Sequence, residues 1–580
     1  MRRFTNIHTI FVLTIIVAVL QSCGNMRVVT TCDGDVVKQF SKNNTIYRIK
    51  GNVNLGGKTV KIGNGSTLDL RDGSLNNGTL TGDFKFRGAK KGSLNVKFSK
   101  CNISGVVPIY NNGDVVGLIT SCVDGCKLME NLTIEKPIYL RASLNGNSHT
   151  ITSTEKASVA VYINDSRLPI IIESITLRKL IPKGTINKNY AINSTNSSNI
   201  TIKKSIIDGR VRFANTTMSD AAEVISENIS ILHTKLYADF SSCPQGWEYG
   251  QDHLSFYSMK NVLIENCLIE SKNVNRVLKT SAYFREKDYD HPQNCTDGVV
   301  FRNNTVKASS IKGKQFWDMF CGTVNVLIED NVIEIHGFTR FVEDKAYQKK
   351  YKGNELLSSL IEIKNNKIYI ENGNLFQFKA NSEVDSFKVA GNDFTIAGAN
   401  VNPYSQWERG NIFLLQGYMS FILTDNTITL KDEAIGLPLA IVNYNCMDTK
   451  IMNNVIKDAS RIYFRSANSS SGSKQTVKCD RFEYIGNKRI YSVQYGNNSK
   501  MEIYVTQSDI GEMSLSIPGE PVSDDNVIEF GVGANVRGLS LAVTSPNRKK
   551  LFRVHNSKDT KVNVIKVPDG AVRRGMEWIR

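Results

Sequence analysis

Four short segments carry charged or polar side chains at comparable places: RVLKT from position 276, FWDMF from 316, RFVED from 340 and LFQFK from 375. Each follows a polar bend. Lys279 lies 12 residues beyond Cys267, Asp318 lies 14 beyond Asn304, and Glu343 lies 12 beyond Asn331. Gln377 and Lys379 lie 11 and 13 beyond Asn366. If the bends are successive turns of one repeat, these residues share a sheet on four consecutive rungs, ~4.8 Å apart. Arg276, Arg340 and Asp344 stand beside them in sequence. Two chemistries use such a set. A carboxylate pair, Asp318 with Glu343 or Asp344, can protonate a leaving oxygen and activate water, at ~5 Å for retention or ~6.5–9.5 Å for inversion. Alternatively Lys279 or Arg276 neutralises a ligand carboxylate and assists removal of its α-proton. In that case Asp318 and Glu343 can offer hard oxygens to calcium, which this alternative alone calls for; no cofactor is otherwise implied. The same residues equally fit a ladder of opposite charges in solvent.

Loops that lengthen the repeat flank this set. They span 238–252, 281–296, 345–357 and 398–410, and each mixes aromatic with charged residues. Trp247, Tyr283, Tyr347 and Trp407, together with Lys379 on the sheet, are candidate ligand contacts, with Tyr249, Tyr289, Tyr351 and Tyr404 beside the aromatic ones. Flat aromatic faces stack on sugar rings. The alternative is that they pack the loops onto the body. His253, next to Asp252, is a further candidate for substrate binding or proton transfer, against a purely structural donor.

The elements that position these groups come from a repeat. VLIENCLIE from 262, VLIEDNVIE from 326, IEIKNNKIY from 361 and FILTDNTIT from 421 share one plan. A short alternating strand leads into two polar residues and a second strand. The second bend residue runs Ser205, Thr234, Cys267, Asn304, Asn331, Asn366, Asn392, Asn426, Asn454 and Asn487, at intervals of 26 to 37. Asparagine tolerates a left-handed backbone, and stacked amides can donate to one another. One rung cannot bury its apolar face alone; stacking does. The intervals leave room for a third strand per turn.

On this N-N, D-N and G-N bend repeat the chain resembles the pectate-lyase-like right-handed parallel β-helices. The resemblance covers about 110–500. It implies an all-β fold, a single-stranded three-sheet solenoid. Its members include polysaccharide lyases and glycoside hydrolases, so an enzyme of either class is implied. The aspartate-rich strands of the polygalacturonase-like hydrolases and the arginine motif of the alginate and chondroitin lyases are not recognisable here.

Residues 23–109 read as β-rich N-terminal coils or a cap, 110–500 as the β-helix, and 501–580 as terminal coils or a small β domain. Residues 1–22 read as a lipoprotein signal peptide: Arg2 and Arg3, then an apolar run from 11 to 20, then Leu20-Gln21-Ser22-Cys23. Cys23 is the expected lipidation site, which places the protein outside the cytoplasm on a bacterial, outer-type membrane. Gly24-Asn25-Met26-Arg27 lacks an acidic run, leaving periplasmic and surface display open. The remaining ten cysteines lack the spacing of a disulfide scaffold. Cys122 and Cys126 form either a local bridge or a pair of buried thiols; the expectation for the ten is mostly free and buried. The net charge is +17, and +15 without Arg2 and Arg3. That balance favours an anionic partner. Dispersed basic residues and export argue against nucleic acid. The expectation is a monomeric, polysaccharide-active protein, cleaving an acidic or complex glycan. The alternative is a non-catalytic glycan- or matrix-binding surface lipoprotein.

Overall fold

The computed structural model describes residues 26–30, 35–181, 190–216, 226–241, 251–281, 296–310, 315–319, 323–344, 360–371, 374–379, 386–398, 411–416 and 420–435. Beyond these it describes 439–444, 448–458, 462–467, 474–480, 483–485, 490–494, 500–517, 528–543 and 548–580. The proposed signal peptide and Cys23 lie outside the described residues. No described helix is long and apolar enough to cross a membrane.

The chain divides into two compact units, one of residues 1–181 with 188–209, the other of 182–187 with 210–580. Both are right-handed parallel β-helices. In the first, tight coils come first: Ile46 pairs with Thr67 and Leu75 with Leu94. Wider coils follow, with strands such as Ile170–Glu173, Thr176–Lys179 and Tyr190–Thr195. A short helix, Val115–Ser121, is capped by Asp114, which accepts from the Gly117 amide at 3.0 Å.

In the second unit the described coils between residues 226 and 494 have three short strands each, stacked on the equivalents of the next coil. Met259–Glu265, Leu268–Lys272 and Arg276–Ser281 represent the first, second and third sheets. Val262 pairs with Val299 and Val299 with Val326, so each coil is one sequence repeat. Alternate apolar residues such as Val262, Ile264, Ile269, Val299 and Phe301 fill the core. Burying one such side chain contributes about 1.5–3 kcal/mol.

Between the first and second sheets, the two bend positions divide the work. The left-handed conformation belongs to the first: Asn303 (φ 55), Asp330 (φ 55), Asn365 (φ 57), Gly391 (φ 66), Asp425 (φ 58) and Asn453 (φ 54). The second is the buried ladder: Asn304, Asn331, Asn366, Asn392, Asn426 and Asn454. Each of the first five donates Nδ2 to Oδ1 of the next, at 2.8–3.1 Å. Each also returns Nδ2 to a first-sheet carbonyl, as Asn366 does to Ile328 at 3.0 Å. This corrects the expectation that one residue type does both jobs at the second position. A side chain that must point inward to its neighbour leaves the exposed position before it to make the turn. Asn487 lies outside the described residues.

Charges alternate along the outer first sheet. Glu265, Arg302, Glu329 and Lys364 are register partners. Their ion pairs measure 2.6 Å (Arg302 to Glu265) and 2.9 Å (Lys364 to Glu329). On the outer second sheet His336 contacts Glu371 at 2.8 Å and Glu334 at 3.1 Å. Half-burial opposes its charge, but the two carboxylates win and raise its pKa. A raised folded-state pKa stabilises fully below the unfolded value of ~6.5 and is lost as pH rises through the folded value. The expected result is that His336→Gln lowers the thermal midpoint slightly at pH 5.5 and leaves it unchanged at pH 8.5.

Candidate functional site

The third sheet departs from simple alternation. Five consecutive rungs read Asp252-His253-Leu254-Ser255, Arg276-Val277-Leu278-Lys279, Gln315-Phe316-Trp317-Asp318, Arg340-Phe341-Val342-Glu343 and Asn374-Leu375-Phe376-Gln377. The two middle residues of every rung are buried. Trp317 meets Phe301 of the first sheet, and its Nε1 donates to Thr280 Oγ1 at 2.9 Å. Phe376 packs on Phe387 and Phe394 of the other two sheets. With both middle residues directed at the core, the flanking residues of the first four rungs take the outer face, and the register lines them up as two columns. One begins Asp252 beside Arg276 and continues Gln315, Arg340, Asn374. The other runs Arg212, Ser255, Lys279, Asp318, Glu343, Gln377.

The register thus brings Lys279, Asp318, Glu343 and Gln377 onto one line. Lys379 falls two residues past that line, opposite Gln416. Asp344 is opposite Phe378, out of step with Glu343.

The outer columns form a charge network. Arg276 lies between two carboxylates, Nη1 at 3.0 Å from Asp252 Oδ1 and Nε at 2.7 Å from Asp318 Oδ2. The second approach is an ion pair without the alignment of a directed hydrogen bond. Arg340 Nη1 is 3.1 Å from Glu343 Oε1. Asp318 is 2% exposed and Glu343 1%. Burial raises the pKa of Asp318 despite Arg276 and Lys279. Burial also works against the charge of Asp252, but Arg276, Lys279 and Arg210 outweigh it and hold its pKa low. Arg276 is desolvated too, yet Asp252 and Asp318 fix its charge.

Cations and one aromatic ring form the partly exposed part of this face. Tyr257 sits between Arg212, whose Cζ is 5.4 Å from the ring centroid, and Lys279, whose Nζ is 5.5 Å away. Ser255, between the two cations in register, is small enough to admit the ring and hydrogen-bonds the phenol. Burial and the Asp252 charge raise the Tyr257 pKa, keeping its proton on at neutral pH.

His253 belongs to the core. It is 0% exposed, its Nδ1 lies 2.8 Å from Ser271 Oγ, and burial with the nearby Arg210 charge lowers its pKa to about 3. A neutral, enclosed ring cannot reach a ligand on the outer face. Trp247, Tyr283, Tyr347 and Trp407 lie outside the described residues, as do Tyr249, Tyr289, Tyr351 and Tyr404. Among the described residues no cluster of three or more His, Cys, Asp or Glu side chains could hold a metal. Asp318 and Glu343 instead each face an arginine.

Sequence reasoning missed Arg212 and Tyr257. Arg212 lies only 7 residues past Ser205, and Ser255 lies 21 past Thr234 because a loop intervenes. Counting 11 to 14 from each bend therefore skips both rungs.

No family model matches the chain, and no curated protein matches it. Among solved structures, the chain is similar to one titled as a PL6 family alginate lyase, AlyGC. The match covers 93% of this chain and 100% of that one, at 9% identity and a TM-score of 0.25, a level that transfers no residue role.

Proposed function

We propose that the outer face of the third sheet binds an acidic polysaccharide and cleaves it by β-elimination. The observation that carries this reading is the Arg212–Tyr257–Lys279 sandwich, two cations around a ring on the part of the face that solvent reaches. Cations hold a uronate carboxylate, and the aromatic face receives a sugar ring. Neutralising that carboxylate acidifies the α-proton. Arg212 is the cation that meets the carboxylate, and Lys279 is the base that takes the proton. The carbanion expels the glycosidic oxygen, which takes the proton that Tyr257 retains. The products are an unsaturated uronate and a new reducing end. Burial and arginine pairing of Asp318 and Glu343 disfavour the hydrolytic alternative, in which both must meet substrate and water. In this reading the carboxylates are positioning groups: Asp252 and Asp318 fix Arg276, and their charge sets the field at Lys279 and Tyr257.

A second reading, glycan binding without turnover, draws on the same locked carboxylates. Both readings require retention on acidic polysaccharides. Affinity electrophoresis of the full chain through gels containing polyuronate, sulfated and neutral polysaccharides tests that step. The expected result is retardation by at least one acidic polymer, weakened about tenfold in Arg212→Ala, a loss of one charge-assisted contact. Equal mobility in every gel would contradict both. The location at a bacterial membrane through a lipid on Cys23 belongs to the same proposal. Metabolic labelling with an alkyne fatty acid, lost in Cys23→Ala, is its expected signature.

A further inference from the structure

In the first unit Cys122 and Cys126 close a tight turn over Val123, Asp124 and Gly125. It stacks on another: Ile103 bridges Cys122, and Val107 pairs with Cys126. The two turns use Gly105 (φ 82) and Gly125 (φ 138), and Asp124 Oδ2 accepts from the Gly105 amide at 2.7 Å. Cys122 follows the helix Val115–Ser121, and its Sγ donates to Leu118 O at 3.3 Å. The Cys126 thiol is directed at the Cys122 sulfur, whose own proton goes to Leu118 O. Both residues are enclosed, at 1% and 2% exposure. Cys101, near Ser121, instead donates to Leu80 O at 3.0 Å.

We propose that Cys122 and Cys126 are a modification site: they form a disulfide that staples this corner of the β-helix. Facing sulfurs at the two feet of one turn satisfy the first requirement of a bridge, that the side chains converge. The reaction is thiol–disulfide exchange. One thiolate attacks an oxidant disulfide, of glutathione or of a thiol oxidoreductase, and releases one thiol. The second cysteine then displaces the other, so two protons and two electrons leave the pair and the oxidant becomes two thiols. The neighbouring Cys122 sulfur and burial raise the Cys126 pKa well above its ordinary value. Enclosed thiols are slow to react, so the exchange belongs to folding, before the turn closes.

The test is mass spectrometry of the full chain refolded in a glutathione redox buffer, then denatured and alkylated with iodoacetamide without reductant. Trypsin leaves Cys101, Cys122 and Cys126 on one peptide, 101–127. The expected peptide carries one alkyl group, on Cys101, and weighs about 2 Da less than its thiol form, the two hydrogens of one bridge. In Cys126→Ser the mass deficit disappears and two alkyl groups are added. Cys101→Ser, which leaves the bridge intact, keeps the deficit and serves if Cys126→Ser fails to fold. Three alkyl groups in the unmutated chain would overturn the proposal. So would a deficit that survives Cys126→Ser, which would place the bridge between Cys101 and Cys122.

Discussion

Replacing Arg276 with methionine destabilises the second unit by about 3–5 kcal/mol at pH 7, the usual cost of stranding a buried ionic partner. Here two carboxylates, Asp252 and Asp318, lose their nearest cation together. The pH dependence identifies the cause. With Arg276 present, the folded-state pKa of Asp252 is depressed, so its contribution exists above the unfolded value of ~3.9 and is lost as pH falls through the folded value. Asp318 has a raised pKa, so its contribution is greatest below ~3.9 and declines as pH rises. Without Arg276 burial dominates at both sites, and both pKa values rise. Protonation then relieves the stranded charges. The deficit of Arg276→Met should therefore be largest near pH 7 and shrink toward pH 4, in thermal melts taken across that window. A deficit independent of pH would assign the loss to packing alone.

Asn366→Ala has a comparable effect for a different reason. Its Oδ1 accepts from the Asn331 amide nitrogen at 3.0 Å and from Asn331 Nδ2 at 2.8 Å. Its Nδ2 donates to Ile328 O, Lys364 O and Asn392 Oδ1 at 2.9–3.0 Å. Truncation removes these contacts and leaves buried donors on the rung below without an acceptor. Each orphaned group costs about 1–3 kcal/mol, and the summed loss is about 3–5 kcal/mol. Asn365→Gly is the control. That neighbour is exposed and left-handed (φ 57), a conformation glycine adopts freely, so the change is nearly neutral. Urea unfolding of the two variants should differ by several kcal/mol. Equal midpoints would mean that the ladder is ornamental and the apolar core alone holds the rungs.

The ladder was legible because its residue type is unusual and its spacing regular. A polar residue that recurs at every turn, between alternating apolar strands, must be inside or useful. The line Lys279, Asp318, Glu343, Gln377 was legible for the same reason, since each of these rungs runs a similar length from its bend. What sequence could not supply was depth. Asp318 and Glu343 face away from the core yet are enclosed, and only three-dimensional neighbours such as Arg276 and Arg340 explain how they are paired there. His253 shows the converse. It stands among outward-facing polar residues in sequence, but the two inward positions of its rung place it in the core against Ser271. Arg212 and Tyr257 escaped because loops and short rungs change the count while the register stays fixed.

Elimination on an acidic glycan is tested by following its two products together. The full chain and its Lys279→Ala variant are incubated with polyuronates and sulfated uronate polymers. Absorbance near ~235 nm from unsaturated uronate, the product of α-proton loss, and new reducing ends are followed together. Both signals are expected in equal molar amount with at least one polymer, with a loss of at least a hundredfold in the variant, the scale of a proton-transfer group. Reducing ends without absorbance, lost in Asp318→Asn or Glu343→Gln but not in Lys279→Ala, would contradict it and make the buried carboxylates the reacting pair.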